Sequence, residues 1–393
     1  MTTRSTTLRK GALAAGAASA IVAGVSAAGS VGAATYFARR VVTPDPRRPD
    51  DTEILAVAGD RVTLGLTAET GVPGRYGLWL DGGEGHARVG EILDVDHEGS
   101  RVTRRVEGVD SGRLTVGFAR WNQYHYAGSP QDAFGVPTQD VRVRSELGDV
   151  PAWLVPAQPS AGAGDRWAIL VHGRGARREE CLRAVPVTHE LGYTTLIPMY
   201  RNDIGAPPSP DGRYNLGLSE WRDVEAAMLH AVEAGAREIV LAGWSLGGAI
   251  VLQTLDRSWL SPRVSRVVLD APVIDWSDVL RHHAAANRVP APVGAMSRAL
   301  MGRRSARRLV GVHEPIDVAR TDWVRRSDEL THPMLLIHSE DDEFVPVGPS
   351  AALAAKRPDL VTYEPWHQAR HTKEWNVDSR RWDAAVRAFL TPG

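Results

Sequence analysis

An α/β fold built on a mostly parallel central sheet, preceded by a small β-rich module, is what this 393-residue sequence predicts. Three observations predict it. From about residue 140 onward, short apolar runs rich in β-branched residues alternate with longer helical stretches, the rhythm of parallel strands joined by right-handed crossovers. Between one such strand, Glu238-Ile239-Val240-Leu241-Ala242, and an unbroken helical run from Ala249 to Gln253 stands Gly243-Trp244-Ser245-Leu246-Gly247, a tight turn with small flanking residues. Ahead of residue 139 the pattern is strand-like instead, with the period-two alternation of half-buried strands.

The elements follow in chain order. Residues 1–40 form an N-terminal hydrophobic segment. Gly11 to Ala38 carries no charge, follows Arg4, Arg9 and Lys10, and precedes Arg39-Arg40. Spanning a bilayer takes roughly 20 apolar residues, so the stretch is long enough, although Ala and Gly make it weakly hydrophobic. Gly16, Ala20, Gly24, Ala28 and Gly32 line one helix face and permit close packing. A retained single-helix membrane anchor is favoured by the length and the basic pair; the alternative is an Ala-rich signal peptide cleaved near Val31-Gly32-Ala33. The catalytic domain is expected on the extracytoplasmic side, although basic residues flank both ends of the segment. Residues 41–51, with Thr43-Pro44-Asp45-Pro46-Arg47-Arg48-Pro49-Asp50, form a stiff linker.

Residues 52–139 form the β-rich module. Asp60 to Thr67 alternates, Tyr76 to Leu80 runs into a turn at Asp81-Gly82-Gly83, and Arg113 to Phe118 is a further candidate strand. The aromatic cluster Trp121, Tyr124, His125 and Tyr126 belongs at an interface with the next domain, or else at the mouth of its site. Residues 140–393 form the α/β domain. A hairpin of Val141-Arg142-Val143 and Ala152-Trp153-Leu154-Val155 opens it, and Ala168-Ile169-Leu170-Val171 and Thr194-Thr195-Leu196-Ile197-Pro198 supply buried strands. A helix over Glu220 to Glu233 leads to the Glu238 strand. Val267-Val268-Leu269, Met334-Leu335-Leu336-Ile337 and Leu360-Val361-Thr362-Tyr363 continue the sheet, and a helix closes the chain. A helical insert over 275–327 breaks this rhythm, with Arg303, Arg304, Arg307 and Arg308 set among Met296, Leu300, Met301, Leu309 and Val310.

The G-x-S-x-G turn between strand and helix is the setting of a nucleophile elbow, where a serine is held clear of the sheet by strained backbone. Here the chain resembles the α/β-hydrolase superfamily, whose triad runs in the order Ser, Asp or Glu, His, with an oxyanion loop upstream. The resemblance makes Ser245 the nucleophile. It likens His172-Gly173-Arg174-Gly175 to the loop after the third strand, so that the backbone N–H groups of Leu246 and Arg174 would face the oxyanion. Such donors are worth about 3–4 kcal/mol each. His338-Ser339-Glu340-Asp341-Asp342-Glu343-Phe344-Val345-Pro346 resembles the family's H-G-x-x-D-x-x-V-P, which puts the acid at Asp342, with Ser339 in place of the glycine. Asp341 is the second candidate and Asp270, at the end of the preceding strand, the third. The base is His371, ahead of the terminal helix, with His367 one step earlier as a rim residue. The insert resembles the family's lid, and the expected architecture is the α/β-hydrolase fold.

Chemistry explains the combination. A serine hydroxyl is a poor nucleophile near neutral pH, so an imidazole must take its proton and a carboxylate must orient that imidazole. Acyl transfer through an acyl-enzyme follows, with water as acceptor and a small acyl ester as substrate. No cofactor or metal is required: His230, His282, His283, His313 and His332 show no H-E-x-x-H spacing and are read as surface or core residues. With 43% hydrophobic residues and a formal charge of -1, the chain can bury a full core and is not built to coat nucleic acid. The single cysteine, Cys181, allows no intramolecular disulfide and reads as a packed thiol.

Three functions fit. The first is a membrane-associated serine esterase or lipase-like hydrolase. The second is a serine peptidase, because G-W-S-x-G-G also resembles the prolyl-oligopeptidase group. A propeller blade takes about 40–45 residues, so residues 52–139 hold about two and a full propeller is excluded. The third is a silent hydrolase fold used for binding.

Overall fold

The computed structural model describes residues 31–44, 49–158 and 164–391. The N-terminal module is a closed antiparallel barrel of six strands: β1 (Thr52–Ala58), β2 (Arg61–Gly65), β3 (Tyr76–Leu80), β4 (Gly85–Asp96), β5 (Arg101–Ser111) and β6 (Gly117–Asn122), in the order β1-β2-β5-β4-β3-β6. Closure comes from β1 pairing with β6, Thr52 opposite Ala119 and Ile54 opposite Gly117, which leaves the module no free sheet edge. Val62 and Leu64 alternate inward in β2 as the sequence predicts, and meet Leu78, Val89 and Val102 in the barrel core. The strand expected at Arg113 to Phe118 is displaced. Val116 and Phe118 are solvent-exposed, and the inward positions of the observed strand are Ala119 and Trp121. Alternation among Leu114, Val116 and Phe118 is the same in either register, so packing against β1 and β3 decides the outcome.

A sheet of eight strands, ordered β14-β13-β12-β11-β9-β10-β8-β7, forms the second domain. Its members are β7 (Gln139–Ser145), β8 (Gly148–Val155), β9 (Arg166–Val171), β10 (Thr194–Pro198), β11 (Glu238–Trp244), β12 (Val264–Asp270), β13 (Met334–Ser339) and β14 (Val361–Trp366). β9 to β14 run parallel, and the β7–β8 hairpin joins the edge antiparallel to β10. Parallel strands need helices on both faces, and both faces are covered. On one lie α4 (Trp221–Glu233) and α5 (Leu246–Arg257); on the other lie α3 (Val185–Glu190) and α11 (Ser379–Leu390). Helix α5 is buried at every position from Leu246 to Leu255, whereas α11 buries only the stripe Trp382, Val386 and Leu390. The remaining short helices are α2 (Pro130–Phe134), between barrel and sheet, and α9 (Gly348–Lys356) and α10 (Glu374–Val377) in the last third.

The expected hydrophobic segment lies, up to residue 30, outside the described residues. Among the described residues no helix is long and apolar enough to cross a membrane. Residues 31–42 are helical (α1), and Ala34, Ala38 and Val42 are buried at four-residue spacing, the last two within the core of the α/β domain. The buried stripe is therefore offset by two positions from the small-residue face that ends at Gly32. A backbone hydrogen bond from Tyr214 to the Val42 carbonyl (2.9 Å) and one from Arg39 Nε to the Leu309 carbonyl (2.7 Å) dock this helix.

The segment between β12 and β13 is helical, with α6 (Trp276–Ala286), α7 (Ala291–Gly302) and α8 (Arg307–Val310). Asp275 caps α6 by accepting from Ser277 N at 2.7 Å. Met301, Val310, Ile316 and Trp323 join the main core, while Arg303, Arg304, Arg307 and Arg308 are exposed.

Candidate active site

Open α/β sheets bind ligands beyond the carboxyl ends of the strands, where the strand order reverses. Here the chain leaves β9 toward β10 on one side and later returns to β11 on the other, and Ser245 stands at the end of β11. Its backbone lies at φ 53, ψ -115, a strained conformation for a residue with a Cβ, of the kind held only where the surroundings over-determine it. The surroundings do so. A Cβ on Gly247 would come within 2.1 Å of the Val171 carbonyl oxygen, and one on Gly243 within 2.6 Å of the Gly247 carbonyl. The elbow is also pinned by hydrogen bonds from Ser245 N to the Asp270 carbonyl (3.1 Å) and from Val273 N to the Ser245 carbonyl (3.2 Å).

The structure brings Ser245, His371 and Asp342 together from the ends of β11, β14 and β13. His371 Nε2 lies 2.9 Å from Ser245 Oγ, and His371 Nδ1–H donates to Asp342 Oδ2 at 2.7 Å. Asp342 Oδ1 accepts from the N–H groups of Phe344 and Val345, both at 2.8 Å. Burial acts to raise the Asp342 carboxyl, but the His371 charge and hydrogen bonds from His338 and His371 outweigh it and hold the group well below the usual carboxylate range. The rival residues go elsewhere. Asp341 accepts from Gln368 N at 2.6 Å, His367 is exposed at the rim beside Glu340, and Asp270 sits behind the elbow.

The loop carrying Arg174 passes against Ser245: a Cβ on Gly173 would be 3.2 Å from Ser245 Cβ. Side chains that the sequence pattern did not single out set its orientation. Gly173 N–H donates to Glu180 Oε2 (2.6 Å), and its carbonyl accepts from Tyr200 Oη (2.8 Å) and His172 Nδ1 (3.0 Å). In a planar trans peptide the following N–H points opposite to that carbonyl, which fixes the direction of the Arg174 amide. His172 Nε2–H donates to Asp203 at 2.8 Å, with its ring stacked on Tyr200. Burial opposes its charge, yet Asp203 and the two hydrogen bonds raise it above the ordinary histidine value. The second amide, Leu246 N–H, heads α5, where no intrahelical acceptor exists.

Two histidines read as ordinary surface or core residues turn out to face the acid loop. His282 and His283 of α6 donate from Nε2 to the carbonyls of Glu343 (3.0 Å) and Phe344 (2.9 Å). The Phe344 ring stands 5.2 Å from His371 and 4.5 Å from His283. His338 Nε2 bridges Asp342 Oδ2 (3.2 Å) and the Val345 carbonyl (3.1 Å), with Ser350 Oγ against its Nδ1. A signal for His338 was present in the H-x-x-x-D spacing; the others come from distant segments. On the opposite side the barrel borders the site: its 68–73 turn faces Asp341, Glu343, Gln368 and Arg370 across a cleft of about 500 Å³. Cys181 is fully buried, and burial pushes its thiol well up, as a packed residue requires. Among the described residues no three His, Cys, Asp or Glu side chains cluster as metal ligands.

This fold and elbow define a known class of protein. The alpha/beta hydrolase family model matches residues 168–390, more than half of the chain, and the chain belongs to that family. A second model, a domain of unknown function (DUF8805), matches residues 53–122, the span of the barrel. Among solved structures the chain is similar to the Pyrococcus furiosus esterase Pf2001, at 17% identity and a TM-score of 0.51 over 67% of this chain and 95% of that one. It is also similar to a thermophilic esterase from Thermogutta terrifontis, at 18% identity and a TM-score of 0.45 over 64% and 98%. At such identities the likeness is one of fold. No curated protein matches the sequence.

Proposed function

We propose that the chain is a serine hydrolase that cleaves a carboxylic ester through an acyl-enzyme intermediate. The observation that carries this reading is the unbroken relay Asp342–His371–Ser245, with 2.7 Å and 2.9 Å contacts on the two ring nitrogens of one imidazole. With Nδ1–H committed to Asp342, Nε2 is the acceptor face toward the hydroxyl. His371 takes the Ser245 proton as Oγ bonds to the substrate carbonyl carbon, and Leu246 and Arg174 N–H groups receive the developing oxyanion. The same proton passes to the leaving alkoxide as the ester C–O bond breaks. Water then repeats the sequence on the acyl-enzyme, His371 taking its proton and returning it to Ser245 as the acid is released.

An ester is favoured over a peptide on two grounds. The structurally similar Pyrococcus protein is an esterase, and the N-terminal module is a closed barrel rather than the propeller that the peptidase resemblance would call for. Helix α6, tied by its histidines to the acid loop, is assigned the role of lid over Phe344. The uncharged stretch from Gly11 leading into α1 is assigned to an N-terminal anchor, with the catalytic domain on the extracytoplasmic side; recovery of the full-length chain entirely in the soluble fraction would reject that assignment.

A fluorophosphonate probe tests the chemistry. Labelling is expected at Ser245 and is expected to vanish in Ser245→Ala, with kcat falling by about 10⁵–10⁶; equal labelling of the variant would reject the nucleophile. p-Nitrophenyl esters of graded chain length, run beside prolyl and aminoacyl arylamides, divide esterase from peptidase.

A further inference from the structure

The loop that carries His371 is not held by its own domain alone. Gln368 (φ 64) and Thr372 (φ 54) both adopt left-handed backbone on either side of the imidazole, a strained conformation that persists only under external constraint. The α/β domain supplies part of it, through Arg183 Nη1 donating to the Thr372 carbonyl at 2.6 Å and Asp341 accepting from Gln368 N.

The barrel supplies the rest. Glu69 faces the two cations that flank the imidazole: Arg370 Nε at 2.9 Å from one oxygen, and Lys373 Nζ on the other. Arg370 extends its Nη2 to Glu343 at 2.9 Å, so one guanidinium joins barrel, base loop and acid loop. Further along, Arg75 N donates to the Asn376 carbonyl (2.8 Å), and Asn376 Nδ2 donates to the carbonyls of Arg75 (2.5 Å) and Gln123 (2.9 Å).

Glu69 is itself presented rigidly. Thr67 N and Glu69 N donate to the hydroxyls of Thr70 (2.8 Å) and Thr67 (3.2 Å), and Thr70 Oγ1 donates to the Gly65 carbonyl (2.7 Å). Arg104, buried inside the barrel, donates to the carbonyls of Thr70, Val72 and Gly74 at 2.7–2.8 Å. A charge inside so small a barrel is costly unless its donors are satisfied; here they are spent on fixing the docking segment.

We propose that the barrel is a positioning module for the catalytic base, and that Glu69 is the residue through which it acts. This gives the DUF8805 span a function within the enzyme, and it rests on the serine-hydrolase reading above. Glu69 touches no reacting atom; it sets where His371 stands between Ser245 and Asp342. Misplacement of a catalytic group by about 1 Å can cost up to about 100-fold.

The test uses the full chain. Glu69→Gln keeps size and removes charge; kcat for a p-nitrophenyl ester is expected to fall between about 10- and 100-fold with KM changed less than about twofold. Glu69→Asp is expected to recover part of the loss. Amide hydrogen exchange over 368–376 is expected to quicken in Glu69→Gln, with exchange in β9 and β11 unchanged. A kcat within about twofold of wild type, or a rise in KM with kcat unchanged, would overturn the proposal. So would unaltered exchange over 368–376. If the wild-type chain neither reacts with fluorophosphonate nor turns over ester, the hydrolase reading fails by itself, and the exchange measurement still decides whether Glu69 holds the loop.

Discussion

Asp270 ends β12 and Asp342 stands in the loop just after the adjacent parallel strand β13, and either place suits a triad acid. Their surroundings give them opposite characters. Asp342 is surrounded by donors: His371, His338 and two backbone N–H groups, so it is ionised and can align an imidazole. Asp270 Oδ2 accepts from the indole N–H groups of Trp244 (3.1 Å) and Trp382 (2.8 Å), and its carboxyl and that of Glu374, both fully buried, act on one another's titration. Glu374 Oε1 in turn accepts from Ser339 N at 3.1 Å. Asp270 Oδ1 and Glu374 Oε2 are buried without a hydrogen-bond partner, and a proton shared between the two carboxyls is the expected way to satisfy both. Burial and the Asp270 charge push Glu374 well above the ordinary carboxylic acid range. The lesson is that a carboxylate's role is set by the donors around it more than by its place on the sheet.

The largest effect that can break this contrast is on turnover. Asp342→Asn is expected to lower kcat by about 10³–10⁴ through loss of the productive imidazole tautomer. Asp270→Asn is expected to leave kcat within about threefold, a barrier change under ~1 kcal/mol. Steady-state kinetics on both variants decides; a reversed order would make Asp270 the acid.

Stability against pH comes next, with opposite signs at the two sites. Asp342 is depressed in the folded state, so its contribution is full above the unfolded value of about 3.9 and is lost as pH falls below it. Glu374 is raised, so its contribution is full below the unfolded value of about 4.3 and is lost as pH rises through the folded value. Thermal melts of wild type are therefore expected to weaken as pH rises above about 4.3. Glu374→Gln, which keeps a donor for Asp270 and an acceptor for Ser339 N, is expected to flatten that decline. An unchanged slope above about pH 4.3 would remove the shared proton from the account.

The smallest effect is expected at Asp341, whose carboxylate holds Gln368 N. Asp341→Asn is expected to keep kcat within about twofold. A loss as large as that of Asp342→Asn would mean that the neighbouring carboxylate aligns the imidazole.

What was legible in the sequence was local. The elbow showed because Gly243, Ser245 and Gly247 must recur at fixed spacing where β11 turns into α5. The acid loop showed because His338, Asp342 and Val345 form one short hydrogen-bonded turn. The supports of the 172–175 loop, Glu180, Tyr200 and Asp203, carry no spacing signal, since they reach Gly173 and His172 from other segments. The histidines of α6 were passed over for the same reason: nothing near His282 and His283 in the chain reveals the carbonyls they meet. Barrel closure was hidden because period-two alternation says which face is buried and not which strand lies alongside.

By itself the sequence determined the fold family, the order of the candidate residues and the turn that raises Ser245, because these depend on backbone sterics and short-range periodicity. Only the tertiary structure decided which of three carboxylates faces His371, how the Arg174 amide is turned, and that the barrel grips the base loop through Glu69. Those outcomes rest on contacts between residues far apart in the chain, where hydrogen bonding and desolvation favour one partner over another that local pattern treats as equal.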